Sequence, residues 1–186
     1  MQTERPSMDD RHPVDAITGM VDEVLALART WPAWDGEPCP ADDRIYTPHK
    51  AIRRVADHML DHLAQLEARL AGSAPLSDRW HGSLVTTAAD MAPFGEEDVD
   101  EATNRLMRLA EIWRLRLATI PEQDLDLAEG DAYTPREMAF CAAGSTYYAE
   151  AVGRWPRSRT NDRRDGSQQR DIGGRRSNSR GPRERA

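Results

Sequence analysis

Lysine is almost missing from this chain. Lys50 stands alone, and the other 24 of the 25 basic residues are arginine. That bias fits GC-rich coding sequence and carries no chemistry of its own. Only two cysteines occur, Cys39 and Cys141. Two are too few for a disulfide framework or for a zinc site built on cysteine alone. No run approaches the ~18 consecutive apolar residues of a membrane span. The opening segment, MQTERPSMDDRHP, is polar and lacks the apolar middle of a secretory signal. A soluble, cytoplasmic protein with no membrane partner is therefore expected. Glycine-rich phosphate loops, the GxSxG elbow and the dinucleotide fingerprint are absent, as are HExxH and the Glu-x-x-His pairs of di-iron bundles.

The 186 residues carry a net charge of −7, unevenly spread. From Arg154 to Ala186 there are eleven arginines against four acidic residues, a net +7, which leaves −14 on residues 1–153. An acidic body argues against a folded nucleic-acid face, because neutralising phosphate needs Lys and Arg. Nucleic acid or another acidic partner is compatible with the basic tail only. That tail offers almost nothing to bury and is expected to be disordered. Residues 1–12 read as a flexible start, 13–153 as one folded body and 154–186 as the arginine-rich tail.

Four segments show a helical period. The first, about 14–30, places Ile17, Val21, Val24, Leu25 and Ala28 on one face. The second, 48–70, has the stripe Ile52, Val55, Ala56, Met59, Leu63, Leu66 and Leu70. The third, about 96–120, has Val99, Ala102, Leu106, Ala110, Trp113 and Leu117. The fourth, 135–152, has Met138, Cys141, Ala142, Ser145, Ala149 and Val152. Thr134-Pro135-Arg136-Glu137 forms a capping box with proline at the first helical position, and Thr47-Pro48 repeats the cap and the proline. Leu84-Val85-Thr86-Thr87 is the only β-like run. The pattern predicts an all-α four-helix bundle. About 25 residues, 72–95, join its second and third helices; Trp80 and Phe94 should anchor that loop on the body, and Trp34 should anchor the loop from Trp31 to Ile45.

His58 and His62 are the leading functional candidates, since one helical turn between two imidazoles lets both reach one metal ion. On a 100° wheel they flank the core stripe, so a neighbouring element must close the site. His81, Asp90 and Cys141 are the candidate third ligands, and Tyr148 borders the same pocket. The competing reading is a half-exposed pair beside Asp57 and Asp61. Cys141 also reads as a small buried hydrophobe. Ile112 and Leu115 on the third helix, and Phe140 and Tyr147 on the fourth, lie opposite the core stripes. Those faces await loop cover or a homodimer partner.

Tyr46-Thr47-Pro48 recurs as Tyr133-Thr134-Pro135 at the head of another helix. At these helices the chain resembles the DinB-like superfamily of four-helix bundles, whose members include metal-dependent hydrolase-like and thiol-transferase-like proteins. The mycothiol-dependent maleylpyruvate isomerases of actinobacteria are relatives. The matching pattern is an aromatic, Ser or Thr, then Pro or Val, with a metal-binding His some eight positions after the aromatic. Cys141 holds that place after Tyr133, and Arg54 holds it after Tyr46. The HxxxH of the family occurs late in the bundle, whereas His58 and His62 lie on the second helix. The resemblance implies a divalent cofactor (Zn, Ni or Fe), a small molecule or thiol as substrate, and metal-assisted transfer or hydrolysis. The alternative is a non-catalytic helical interaction module.

Overall fold

The computed structural model describes residues 5–76 and 84–156. They form α1 (Pro13–Ala28), α2 (Pro48–Leu70), α3 (Glu96–Leu117), α4 (Pro135–Ala143) and α5 (Thr146–Val152), with short 3-10 turns between. One antiparallel hairpin joins β1 (Cys39–Ala41) to β2 (Arg44–Tyr46). The chain is thus mostly helical. No helix among the described residues is long and apolar enough to cross a membrane.

Helix starts follow the capping chemistry in the sequence. Thr134 Oγ1 accepts from the Glu137 N–H at 3.1 Å, and Glu137 returns an oxygen to the Thr134 N–H at 2.8 Å. Thr47 Oγ1 accepts from the Lys50 N–H, and Asp98 accepts from the Gly95 N–H at 2.8 Å. Each bond satisfies a donor that a helix start would otherwise leave unpaired.

The main packing partners of α1 are α3, α4 and α5, and α2 packs on the same three. Helices α1 and α2 therefore face each other across the core, with α3 on one flank and α4–α5 on the other. Side-chain contacts fix the directions. His49 lies near Asp98, Trp113 Nε1 donates to the Met59 carbonyl at 3.2 Å, and Arg116 pairs with Glu67, so α2 and α3 run the same way. His58 meets Cys141 and Arg69 meets Tyr133, so α4–α5 run against α2. Parallel neighbours need a connection as long as the helix itself, which is why residues 71–95 lie between α2 and α3.

That crossover is pinned near its end. Asp90 is buried and accepts from Arg53 through both oxygens (3.0 and 2.8 Å) and from the Thr87 N–H at 2.7 Å. The Thr47 hydroxyl donates to the Asp90 carbonyl. Phe94 packs edge-on against Trp31, whose Nε1 donates to the Gly153 carbonyl at 2.7 Å. Phe94 is thus buried as expected, Trp34 packs half-buried on the core, and Trp31 is buried as well; Trp80 and His81 lie outside the described residues. So does the expected tail beyond Pro156. Trp155 packs on the body, its N–H donating to Thr30 Oγ1.

Several expectations change. The fourth helix is two pieces, because at Gly144–Ser145 bonds of the i→i−3 type (Gly144 N–H to Cys141 O, Ser145 N–H to Ala142 O, both 3.1 Å) tighten the turn. A Cβ on Gly144 would sit 3.2 Å from the Cys141 carbonyl, so the missing side chain permits that tightening. The β-like run Leu84–Thr87 forms no strand. The hairpin instead turns on Asp42, at φ 54°, and Asp43. Leu70 is exposed at the end of α2, and Phe140 is buried on the face expected to look outward.

Candidate metal centre

Helix α2 presents His58 and His62 one turn apart, and α4, running antiparallel beside it, presents Cys141 between them. The potential ligand atoms of the three lie within 4.8 Å of one another. The imidazole rings stand edge to face with centroids 4.8 Å apart. His58 Nε2 is 3.8 Å from Cys141 Sγ and 3.2 Å from the Cys141 carbonyl. In a tetrahedral site with bonds of about 2.0–2.3 Å, donor atoms sit about 3.3–3.6 Å apart. The His58–Cys141 separation already approaches that value, and the group as a whole must draw in by about 1 Å.

The surroundings orient one ligand. His62 Nδ1 lies 3.0 Å from Gln65 Oε1, and Gln65 Nε2 donates to Asp61 at 3.0 Å. An amide oxygen can only accept, so Nδ1 of His62 carries the proton and Nε2 carries the lone pair. A carboxylate–amide relay behind a histidine is the kind of support that fixes tautomer and ring orientation in metal sites. His62 is 5 % exposed and His58 half-buried, so the helices cover the pair that the wheel placed at the edge of the core.

Burial pushes the Cys141 thiol above its ordinary pKa, and the Asp61 carboxylate adds to the shift. Without a cation the sulfur keeps its proton. A divalent cation would reverse that preference, since a coordinating thiol is deprotonated outright. The donor set therefore fits a borderline-soft ion, with imidazole and thiolate typical of zinc.

Tyr148 stands 6.2 Å from the His58 ring and stacks under the Arg54 guanidinium at 5.4 Å, while Arg54 also pairs with Asp57 at 3.3 Å. Tyr133 is 6.2 Å from the His62 ring, and burial foremost, with Cys141 and Glu137 nearby, raises its phenol pKa. Among the residues proposed from sequence, His58, His62, Cys141 and Tyr148 come together. Asp90 does not join the ligand group; Arg53 and Thr87 hold it over the first turns of α2. Asp61 stood in the sequence reading only as a neighbour of the histidine pair, and its relay partner Gln65 escaped it. Their signal was the i, i+3 and i, i+4 spacing to one another and to His62.

Comparison with protein-family models, with curated proteins and with solved structures found no match.

Proposed function

We propose that this chain is a DinB-like four-helix bundle with an altered ligand set, binding a divalent cation through His58, His62 and Cys141 and acting on a small molecule by metal-assisted transfer or hydrolysis. The observation that carries the reading is the meeting of three ligand side chains from two antiparallel helices within 4.8 Å. The two-flank packing of α3 and α4–α5 around α1 and α2 supports the bundle assignment.

Three protein donors are the number a catalytic metal site uses, with the fourth position left to water or substrate. A divalent cation bound there supplies Lewis acidity and activates a water or thiol nucleophile at neutral pH. The chain's own residues have defined tasks. Gln65 and Asp61 hold His62 with Nε2 as the lone-pair nitrogen. Cys141 would hold the ion as thiolate, its proton released to solvent, and His58 would hold it through Nε2, which now faces the Cys141 carbonyl, once the ring proton sits on Nδ1. Tyr133 and Tyr148 flank the site, each 6.2 Å from one of the two imidazole rings.

The test is cobalt titration of chelator-treated protein. One ion per chain is expected, with a thiolate-to-cobalt absorption band that C141S abolishes. Sub-stoichiometric metal that is unchanged in H58A/H62A overturns the reading. A second reading, a non-catalytic interaction module, is favoured by the exposed apolar residues of α2 and α3.

A further inference from the structure

The outer face of α3 is segregated by charge. Its first turns carry Glu96, Glu97, Asp98, Asp100 and Glu101 with no basic residue, while Arg105, Arg108, Arg114 and Arg116 follow with only Glu111 among them. Beside this face α2 and α3 enclose an open groove of about 540 Å³, lined in part by Leu60, Ile112, Glu101, Arg105 and Arg108. Leu60 is 52 % exposed, Ile112 46 % and Leu115 52 %. At 100° per residue, Glu97, Glu101, Arg108, Ile112 and Leu115 fall within a stripe about 60° wide on the side of α3 opposite Leu106 and Trp113. Arg105 pairs with Glu101 and Arg114 with Glu111, whereas Arg108 stands on the stripe with no ion pair among the described residues.

We infer that this face is a two-fold interface between copies of this chain, with α3 packed antiparallel on α3 and the axis near Asn104. Antiparallel pairing is the arrangement that brings the acidic end of each helix onto the basic end of the other. It sets Arg108 of one copy against the acidic first turns of the second. It also lays those first turns along the groove, covering Ile112 and Leu60. An isologous contact requires a self-complementary surface, and a helix acidic at one end and basic at the other supplies one. With the axis near Asn104, residues 96–112 of the 22-residue α3 overlap, a length of about 25 Å. Two helix widths, about 20 Å, then give about 500 Å² per copy, or about 1,000 Å² in all. That is the size of a weak, reversible contact. The inference stands apart from the metal reading, since none of these residues touches the ligand group.

Sedimentation velocity of the full chain from 5 to 200 µM tests it. A monomer–dimer equilibrium is expected, weaker in 0.5 M than in 0.05 M salt. R108E should weaken dimerisation about tenfold, because two-fold symmetry counts each lost pair twice. The double reversal R108E/E101R should recover most of that loss, and I112D should abolish the dimer. All these positions are exposed, so matching circular dichroism and melting curves will show that the variants fold. A single monomeric species at 200 µM overturns the inference. So does a dimer that neither R108E nor I112D affects, or an assembly that grows beyond two.

Discussion

The Asp90 latch gives the sharpest test of how the crossover is held. Asp90→Ala removes both oxygens that Arg53 engages and the acceptor of the Thr87 N–H. Breaking a fully buried ion pair from one side costs about 3–5 kcal/mol. Here the Arg53 side chain is 30 % exposed and can recover water, while Asp90 is 4 % exposed. The loss is therefore set by the hydrogen bonds to a charged acceptor, and about 2–3 kcal/mol is expected. For a domain of this size each kcal/mol moves the melting temperature by about 2–4 °C, so D90A should melt about 5–10 °C lower. Asp90→Asn keeps one acceptor for the Thr87 N–H and should fall by about half as much. Calorimetry or thermal circular dichroism reads both. A D90A loss below about 1 kcal/mol, or an Asn variant no better than Ala, would refute the view that this carboxylate fastens the loop.

The other predictions concern pH, the ligand relay and a helix cap. Burial pushes Asp90 and Glu137 upward, but their partners outweigh it: Arg53 and Thr87 for Asp90, and the Thr134 N–H and Arg5 for Glu137. Both carboxyls end below their ordinary values of 3.8 and 4.5. A carboxylate held low in the folded state contributes stability above its unfolded value, and that stability is lost as pH falls through the folded one. Melting temperature should hold steady from pH 7 to about 5 and fall below about pH 4, less steeply in D90N. Gln65→Leu removes the acceptor behind His62 and should lower cobalt affinity about 10–100-fold with little change in melting. Unchanged affinity would exclude the relay from ligand support. Thr134→Ala deletes half of the capping box and should cost about 1 kcal/mol by chemical denaturation; a neutral result would mean that packing alone sets the start of α4.

Much of the helical framework was legible because its signals are local. Threonine–proline at 47–48 and 134–135 marks two helix starts, and the apolar period marks the faces they bury. His58 and His62 were legible for the same reason, being four residues apart on one helix. Cys141 could be named only as one of several third ligands, since its place beside them depends on how α4 lies against α2. The hairpin escaped because each strand is three residues long and its turn depends on a single positive φ at Asp42. Asp90 looked like a pocket carboxylate because its partner Arg53 is 37 residues away in sequence. Phe140 was placed on the outer face by a wheel that assumes one neighbour per helix, whereas α4 packs on both α1 and α2.

The chain's only lysine is buried at 1 % exposure, its ammonium donating to the Ile45 carbonyl (2.8 Å) and Thr86 Oγ1 (3.0 Å) beneath the Tyr46 ring. No ε-amino group therefore reaches the surface of the folded protein. Acylating reagents, aldehyde cross-linkers and enzymes that tag lysines meet a lysine-free exterior. Modification at Lys50 must wait until the segment around Thr86 lifts away, which turns this one side chain into a chemical clock for local opening.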